Sequence, residues 1–377
     1  MKFNISQKAL SNGINKIKRA VSTKSTLPVL TGIYMKAEKN KGLHLIGTDL
    51  DLGIECWIED ITIEENGTIV LPADHFSSII RELPPENINF NLDKEKLQMK
   101  LTCKKSIFKI NGFDPEEFPQ LPEVKNPSRI VLPADKLINI IEEVKFSISN
   151  NQSQPALTGA LIQIEDDCLT MVSTNTYRLA YSENNIELEN FNQDNNEINN
   201  VIIPGDTLNE LSRLLPKTEE KVTISLGTNH TNFSFDKVNI ISRLIEGQFP
   251  NYNQVIPNEY NTRIDVNKNN LQQAVKRASL IAALNSNEIS LSLDEDTLNI
   301  NSIESETGEA HEEITLNNIE GSNQNIKIDA GYLLDVLKII DDETINLDFI
   351  GPVSPLTIKK ETDNKKYIYL IMPIRQD

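Results

Sequence analysis

The chain contains Pro155-Ala156-Leu157-Thr158-Gly159, and 127 residues earlier it contains Pro28-Val29-Leu30-Thr31-Gly32. In both places a helical pattern and a polar loop come before the stretch. An apolar strand pattern, a turn and a second strand follow it in both places. A self-repeat at the spacing of a domain indicates that one structural unit is used more than once.

Length and composition limit the class of protein. With 377 residues, the chain is long enough for two or three domains that each bury a core. The first residues are strand-like, so no secretory signal is expected, and no apolar run approaches the roughly 18 residues of a spanning helix. We therefore expect a soluble, cytoplasmic protein without a membrane partner.

The cysteines and histidines give no sign of a disulfide framework or a metal site. Cys56, Cys103 and Cys168 are isolated within strand-like alternation, which predicts small buried apolar side chains. The four histidines show no ligand spacing. We expect neither a metal nor a cofactor.

Six helical patterns divide the chain into six half-units, each a strand, a helix and further strands. The predicted helices cover residues 6–21, 73–83, 134–146, 205–217, 268–282 and 329–340. Pairs of half-units predict three α+β domains at 1–125, 127–257 and 260–377, with helices packed on antiparallel sheets. The linkers lie near Lys125-Asn126-Pro127 and Asn258–Asn261, and the third domain lacks the Leu-Thr-Gly mark.

The charge is unevenly distributed along the chain. Its formal net charge is −18, yet the six predicted helices together carry +4. Six half-units form an arc that two chains joined head to tail can close, which removes free strand edges. A near-neutral to basic helical layer within an acidic shell suits a protein that encircles DNA, although basic helix faces that are simply solvated explain the charge equally well.

Specific motifs are spread along the whole chain. They are Met1-Lys2-Phe3, Ala20-Val21-Ser22 before Leu27–Gly32, Thr174–Leu179, Gly247–Tyr252, Tyr332–Leu337 and Met372–Arg375. With these motifs the chain resembles the bacterial DNA polymerase III β subunit, the replicative sliding clamp. The resemblance implies three clamp domains, a head-to-tail homodimeric ring with helices inside and sheets outside, and no catalysis.

The resemblance also implies partners. Double-stranded DNA passes through the ring without being read for sequence, and a clamp loader, through its δ subunit, opens the ring with ATP. The replicative polymerase α subunit, other polymerases and repair proteins dock by short peptides that contain Gln and Leu or Phe. An apolar groove between the second and third domains accepts these peptides through alternate anchor side chains.

Carried over by motif, the peptide groove consists of Leu157, Thr174, Thr176, Tyr177, Arg178, Leu179, Pro250, Val255, Tyr332, Val353, Pro355, Met372, Pro373, Ile374 and Arg375. Taken singly, residues such as Leu157 read as ordinary core. Relatives commonly have Asp-Ser-His or Asp-Gly-His where this chain has Asn175-Thr176-Tyr177, and Gln254 replaces a frequently basic position. We expect the larger Tyr177 ring to reshape the groove.

Two further sets of residues follow from the resemblance. The predicted DNA contacts are Lys16, Arg19, Lys24, Arg81, Lys145, Gln152, Gln154, Arg213, Lys217, Lys276, Arg277 and Lys338. They are expected to contact phosphates and so to allow sliding. The predicted dimer interface is Phe108 and Ile110 against Leu280 and Ile281 of a partner, unless these side chains belong to the cores of their own domains.

Two other functions compete with that of a clamp. If the protein were an enzyme, Asp49 and Asp51 in Thr48-Asp49-Leu50-Asp51 would be the strongest candidates for Mg²⁺ ligands. No phosphate loop or nucleophile pattern accompanies them. A strand-end turn with exposed acids is the favoured interpretation. The second rival is an acidic repeat scaffold that binds only proteins.

Overall fold

The computed structural model describes residues 1–125, 127–165, 167–186, 200–283, 287–304, 308–316, 318–363 and 365–374. The linker residue Asn126 and the groove residue Arg375 lie outside these ranges. Unit 1 comprises the described residues of Met1–Leu137 and Asp206–Leu244, and unit 2 those of Ile138–Ile186, Asn200–Gly205 and Ile245–Asp377. Within the described residues, no helix has the length and apolar character needed to cross a bilayer. The three-domain boundaries stay a prediction.

Six α-helices form in the described residues, and each begins directly after a strand. They are α1 (Gln7–Ile17), α2 (Ala73–Glu82), α3 (Ala134–Lys145), α4 (Gly205–Leu214), α5 (Lys268–Ala282) and α6 (Ala330–Ile339). The strand's last residue supplies an N-cap at α1, α5 and α6, where Ser6, Asn267 and Asp329 each accept a backbone N–H. All six lie where the sequence predicts helix.

The strands up to residue 185 are β1 (Lys2–Ser6), β2 (Gly32–Glu38), β3 (Gly42–Thr48), β4 (Leu52–Ile58), β5 (Ile61–Glu65), β6 (Gly67–Pro72), β7 (Asn87–Asp93), β8 (Gln98–Cys103), β9 (Ser106–Asn111), β10 (Ser128–Pro133), β11 (Gly159–Glu165), β12 (Cys168–Thr174) and β13 (Arg178–Asn185). The later strands are β14 (Asn200–Pro204), β15 (Lys221–Leu226), β16 (His230–Phe235), β17 (Val238–Arg243), β18 (Thr262–Asn267), β19 (Glu288–Asp294), β20 (Thr297–Glu304), β21 (Gly308–Thr315), β22 (Asn318–Glu320), β23 (Asn325–Asp329), β24 (Thr344–Phe349), β25 (Leu356–Thr362) and β26 (Lys365–Ile371).

Each unit contains two antiparallel sheets. In unit 1 the strand orders are β5-β1-β7-β8-β9 and β10-β15-β16-β17-β4-β3-β2-β6. In unit 2 they are β14-β11-β12-β13-β26-β25-β24-β18-β22 and β21-β20-β19-β23. The larger sheet of each unit joins strands of successive sequence repeats, through β4 with β17 and through β13 with β26.

The repeated Leu-Thr-Gly stretch has the same local structure in both copies. Each forms a 3₁₀ turn in which the threonine hydroxyl donates to the proline carbonyl, at 2.7 Å for Thr31 and 2.8 Å for Thr158. The glycine that follows starts a strand against a close neighbour, because a Cβ on Gly159 would lie 2.3 Å from the carbonyl oxygen of Ile203. The sequence repeat is therefore a structural repeat.

The cores lie under the helices. In α1, Leu10, Ile14 and Ile17 are fully buried, each worth roughly 1.5–3 kcal/mol of transfer free energy. Cys56 and Cys103 are buried and Cys168 is half-buried, and all three are free thiols. The prediction of apolar, unpaired cysteines is confirmed for Cys56 and Cys103; Cys168 is only partly covered.

Candidate functional site

Strand pairing in unit 2 brings several predicted groove residues to the same end of two central strands of its larger sheet. Leu179 of β13 lies opposite Leu370 of β26, and Arg178 lies opposite Ile371. Beyond β26 the backbone N–H of Met372 donates to the carbonyl of Tyr177 at 2.8 Å. Residues nearly 200 positions apart in the sequence thereby become neighbours, and every described groove residue belongs to unit 2.

An apolar cluster forms the base of the groove. Leu179 is buried with Val172, Tyr181, Ile368 and Leu370 as part of one cluster. Ala156, Ile245, Phe249, Tyr252 and Ile256 pack against this cluster from the loops. These contacts place the predicted residues Leu157, Pro250 and Val255 next to cluster members along the chain, with Leu157 itself buried.

Large apolar side chains are exposed on segments that flank the cluster residues along the chain. The exposed fraction is 77% for Val353 and 63% for Tyr177, and Val255 and Met372 are also exposed. Tyr332, Pro355, Pro373 and Ile374 are half-buried, and Pro250 is exposed. Exposed apolar side chains gathered at one place indicate a binding surface more strongly than single ones do.

A hydrogen-bonded turn holds Tyr177 in solvent. The Asn175 side-chain oxygen accepts from the backbone N–H groups of Tyr177 and Arg178, at 3.1 and 3.0 Å. The Thr174 hydroxyl accepts from the Thr176 N–H and donates to the Arg178 carbonyl. Thr176 adopts a positive φ of 77°, which is unusual outside glycine.

The same turn occurs in unit 1 at Thr48–Leu52. Asp49 accepts from the N–H groups of Asp51 and Leu52, and Thr48 bonds Leu50 and Leu52 as Thr174 bonds Thr176 and Arg178. The Asp49 carboxylate thus accepts hydrogen bonds from the backbone of its own turn. Both of these hydrogen bonds are those expected of a strand-end turn.

Arg178 ties three elements together below the groove. Its guanidinium donates to Asp335 of α6 at 2.8 Å and to the Phe146 carbonyl after α3. It also lies over the rings of Tyr332 and Phe146, 4.4 and 5.3 Å from their centroids. Arg178 is largely buried and is therefore a positioning residue of the groove.

These contacts lower the pKa of the Asp335 carboxyl. Its burial acts to raise its pKa, but hydrogen bonds from Arg178 and Lys338 outweigh burial and hold the pKa below its ordinary value. Sequence reasoning missed Phe146, Asp335 and Tyr252. Tyr252 and Asp335 lie within the motifs Gly247–Tyr252 and Tyr332–Leu337, which were a signal that could have found them, whereas Phe146 lies in none of the motifs.

The predicted DNA contacts lie on both units, and all are exposed or half-buried. Unit 1 carries Lys16, Arg19, Lys24, Arg81, Arg213 and Lys217, and unit 2 carries Lys145, Gln152, Gln154, Lys276, Arg277 and Lys338. Five of the six helices have a basic residue in their last turn. That position also stabilises the negative end of each helix, so the pattern has a structural reason besides DNA.

Several of these cations are held by carboxylates. Glu210 accepts from Arg19 at 2.8 Å and from Arg213 at 2.7 Å. Glu312 accepts from Arg277 in a bidentate pair at 2.8 and 2.6 Å. Within the part of the chain that the structure describes, the set without an ion pair is Lys16, Lys24, Lys217 and Lys276.

The predicted interface residues are only partly free for a partner. Leu280 is 69% exposed on α5, Phe108 is exposed on β9, and Ile281 is half-buried. Ile110 is only 8% exposed and already contributes to the core of its own sheet. Ile107, which the sequence reasoning did not select, is the more exposed residue of β9.

Comparisons with known proteins cover the whole chain. Family profiles match in three consecutive segments, described as DNA polymerase III beta subunit N-terminal domain (residues 1–122), central domain (131–251) and C-terminal domain (253–375). The chain is 34% identical over 383 residues to the "Beta sliding clamp" of Staphylococcus epidermidis, covering 100% of this chain and 99% of that protein. The Staphylococcus aureus protein of the same name is 33% identical at the same coverage. The crystal structure of the Bacillus subtilis DNA polymerase sliding clamp superposes with a TM-score of 0.94, at 32% identity and full coverage of both chains.

Proposed function

The chain belongs to the family of the DNA polymerase III beta subunit, the DNA sliding clamp, and we propose that two copies close head to tail into a ring around duplex DNA. The family consists of the non-catalytic clamp subunit of the polymerase. Its members work with DNA, with clamp-binding proteins and as homodimers. The fold of three α+β clamp domains expected from the sequence is confirmed.

Ring closure is supported by one type of strand pairing that occurs twice within the chain. The first half-unit of each repeat contains a strand triplet, and these triplets are β2-β3-β4, β11-β12-β13 and β19-β20-β21. The second half-units contain the triplets β7-β8-β9, β15-β16-β17 and β24-β25-β26. The third strand of the first triplet pairs with β17, and the third strand of the second triplet pairs with β26. Among the described strands, β21 and β9 are the third strands of triplets that have no such partner, and each lies at an edge of its sheet. Antiparallel pairing of β21 with β9 of a second chain continues the series, which is the observation that carries the proposal.

Exposed apolar residues support the same contact. Leu280 on α5, with Ile107 and Phe108 on β9, are large side chains that a monomer leaves in water. Burial of such side chains contributes about 25 cal/mol per Å². Ile110 is removed from the proposed interface because its own sheet buries it.

For DNA, we propose that the cations on and beside the six helices, together with Gln152 and Gln154, contact phosphates. Lys24 and Lys276 are exposed and, like Lys16 and Lys217, have no ion pair among the described residues, while Arg19, Arg213 and Arg277 must first exchange a carboxylate for a phosphate. Contacts to phosphates carry no sequence information, so such a ring slides. Lys16, Arg81, Lys145, Gln152, Gln154, Lys217 and Lys338 complete the proposed set.

The groove around Leu179 is the proposed docking site for partner peptides. Its buried base and the exposed Tyr177, Val255, Val353 and Met372 offer alternate anchors to an extended segment. We assign it to the replicative polymerase α subunit, the δ subunit of the clamp loader and other polymerases and repair proteins. We also propose that the protein works in the cytoplasm, where bacterial DNA is replicated.

The proposed function is tested by primer extension with the organism's own polymerase and loader on a long primed circle. We expect long products only when the chain, the loader and ATP are all present. Product length that does not depend on the chain, with the loader shown to be active, would contradict the proposal. The Leu280→Asp variant serves as the matched ring-deficient control.

A further inference from the structure

Unit 1 contains a cavity that neither the groove nor the predicted DNA contacts use. Its volume is about 460 Å³, which lies within the roughly 300–1,000 Å³ of typical ligand pockets. Side chains of β3, β4, β10, β15, β16 and β17 form its floor. Its other wall is the linker segment at residues 120–124. All of the lining residues belong to unit 1.

The cavity lies at the place in unit 1 that corresponds to the base of the groove in unit 2. Both sites follow the hydrogen-bonded turn of their unit, where β4 pairs with β17 and β13 with β26. At the third residue after the turn, Tyr181 lies opposite Ile368 in unit 2, whereas Glu55 lies opposite Asn239 in unit 1. One position of the repeat is thus apolar in one unit and polar in the other, so the two sites select different ligands.

A chain of hydrogen bonds crosses the floor of the cavity and ends at Glu55. His44 and Asn239 each donate to the Glu55 carboxylate at 2.9 Å. The Ser234 hydroxyl donates to the side-chain oxygen of Asn239, and the side-chain N–H of Asn232 donates to Ser234 at 3.0 Å. The hydrogen bond from His44, helped by that from Asn239, outweighs burial and holds the pKa of Glu55 below its ordinary value. The carboxylate is therefore ionised and can only accept.

This carboxylate fixes the direction of the whole chain. Because Glu55 cannot donate, Asn239 directs its N–H to Glu55 and its oxygen to Ser234, whose proton is used there. Asn232 then has to donate to Ser234, which leaves its own side-chain oxygen at the end of the chain. That oxygen is buried and has no hydrogen-bond partner among the described residues. A buried acceptor without a donor costs free energy, so a ligand that donates to Asn232 is favoured.

A cation lies on the same face of the sheet as this acceptor. Ser225 of β15 lies opposite Asn232 of β16 on one side and opposite Arg129 of β10 on the other. Directly opposite residues share a face, and two strand spacings put Arg129 and Asn232 roughly 10 Å apart at their Cα atoms. Arg129 is exposed, and within the part of the chain that the structure describes it has neither an ion pair nor a hydrogen bond. It is free to bind an anionic group.

The linker segment covers the polar floor with two side chains. Leu121 packs over Gly53, and Val124 packs over Gly227, since a Cβ on these glycines would lie 2.5 and 2.6 Å from the respective side chain. Among the described residues, positions 119–125 form no hydrogen bond. A ligand that shifts this segment to reach Asn232 therefore breaks no hydrogen bond of the linker.

We propose that this cavity binds the C-terminal residue of an extended peptide, with its last backbone N–H donated to Asn232 and its α-carboxylate paired with Arg129. A guanidinium group matches a carboxylate, and terminal carboxylates are a recurring target in peptide recognition. An apolar last side chain packs against Leu121, Val124 and Ile241. A phosphate would offer Asn232 no donor, and a simple amine would leave Arg129 unpaired. The site is independent of the ring and of the groove in unit 2.

Isothermal titration of the full chain with the hexapeptide Gly-Ser-Gly-Ser-Ala-Leu tests the proposal. The peptide with a free C-terminus is compared with the same peptide ending in a carboxamide, which keeps the backbone N–H but lacks the charge. We expect saturable binding of the free acid and about tenfold weaker binding of the amide, because hydrogen bonds to charged groups are the stronger ones. Heats that do not saturate with about 1 mM of the free acid, or equal affinity for both peptides, would overturn the proposal.

Variants locate the binding site within unit 1. Arg129→Gln, at an exposed position, should weaken binding of the free acid about tenfold and leave that of the amide unchanged. Asn232→Ala removes the acceptor and should weaken binding of both peptides. The matched control is Arg243→Gln, because Arg243 is an exposed arginine of the same sheet outside the cavity, and it should bind as the wild type does. Unchanged affinity in both Arg129→Gln and Asn232→Ala would also overturn the proposal.

Discussion

At the scale of single residues, Tyr177 is the exposed aromatic side chain that the turn after β12 holds in solvent. The turn that carries it is built from Thr174 and Asn175, whose side chains bond the backbone in the same way as Thr48 and Asp49 do in unit 1. The same hydrogen-bonded turn thus presents different side chains in the two copies. In unit 2 it presents a tyrosine beside Met372, at the edge of an apolar cluster.

Replacing Tyr177 with alanine tests its role in peptide binding. A Tyr177→Ala variant should bind a fluorescent peptide that contains Gln, Leu and Phe about three- to tenfold more weakly, since aromatic contacts contribute about 0.5–1.5 kcal/mol. Fluorescence anisotropy measures the affinity. Leu50→Ala, in the equivalent turn of unit 1, is the matched control and should bind normally. Equal losses in both variants would remove Tyr177 from the groove.

Asp335 makes the stability of the fold depend on pH. Its pKa in the folded protein lies below the ordinary 3.8, so its charge stabilises the fold at neutral pH. That contribution is lost as the pH falls from about 5 through the lowered folded pKa. We expect Asp335→Asn to lower the melting temperature at pH 7 and to flatten its decline at acid pH.

Thermal unfolding monitored by circular dichroism between pH 7 and pH 3 measures both effects. Asp74→Asn is the control, because the pKa of Asp74 is also lowered, by Lys18, but the residue is exposed and screened. It should change the melting temperature little at any of these pH values. Parallel curves for wild type and Asp335→Asn would contradict the assigned role.

At the scale of secondary-structure elements, the helices combine a basic surface with internal carboxylates. Glu210 on α4 joins Arg213 of the same helix to Arg19, which follows α1. A phosphate that binds either arginine has to displace this carboxylate. With the DNA contacts proposed above, we expect this competition to weaken the hold of DNA on the ring and to favour sliding.

A Glu210→Gln variant removes the competing charge. We expect it to remain longer on linear DNA after loading, with a slide-off rate reduced severalfold at about 50 mM salt and less at about 200 mM. Single-molecule fluorescence of the loaded protein measures the rate. The control is Glu82→Gln, because Glu82 pairs with Arg81 on α2 and both side chains are exposed. This variant should change the rate less. A Glu210→Gln rate equal to wild type at both salt concentrations would show that Glu210 does not restrain the arginines.

Elements were predictable where a local pattern determines them. All six helices were found, but α4 ends at Leu214 and not at residue 217, because Pro216 cannot continue the helix and disfavours helical geometry just before it. α1 ends at Ile17 and passes into a 3₁₀ turn over Lys18–Ala20. Hydrophobic periodicity extends past such ends, so it overestimates helix length.

The site was less predictable than the fold. Without the family resemblance, Leu157 and Leu179 read as core, which their burial also shows. Their place at a groove depends on the pairing of β13 with β26, and no local pattern encodes that pairing. For the same reason Arg178 was predicted as a groove residue, while its partner Asp335 was not.

At the scale of the whole molecule, the proposed ring depends on one interface used twice. Leu280→Asp places a charge at an exposed apolar residue of α5 and should give a monomer in gel filtration with light scattering. The wild type should show twice the 42.5 kDa of one chain. Leu50→Asp, at another exposed leucine, is the control and should remain a dimer. A dimer for Leu280→Asp would exclude this interface.

The most direct test of the central claim is whether the chain is linked topologically to DNA. The labelled protein is loaded with loader and ATP onto a nicked circle, purified by gel filtration, and followed after a restriction enzyme cuts the circle. The ring proposal predicts that protein stays with the circle and leaves after linearisation, unless the DNA ends are blocked. Release from the intact circle with the same rate as from linear DNA would contradict it.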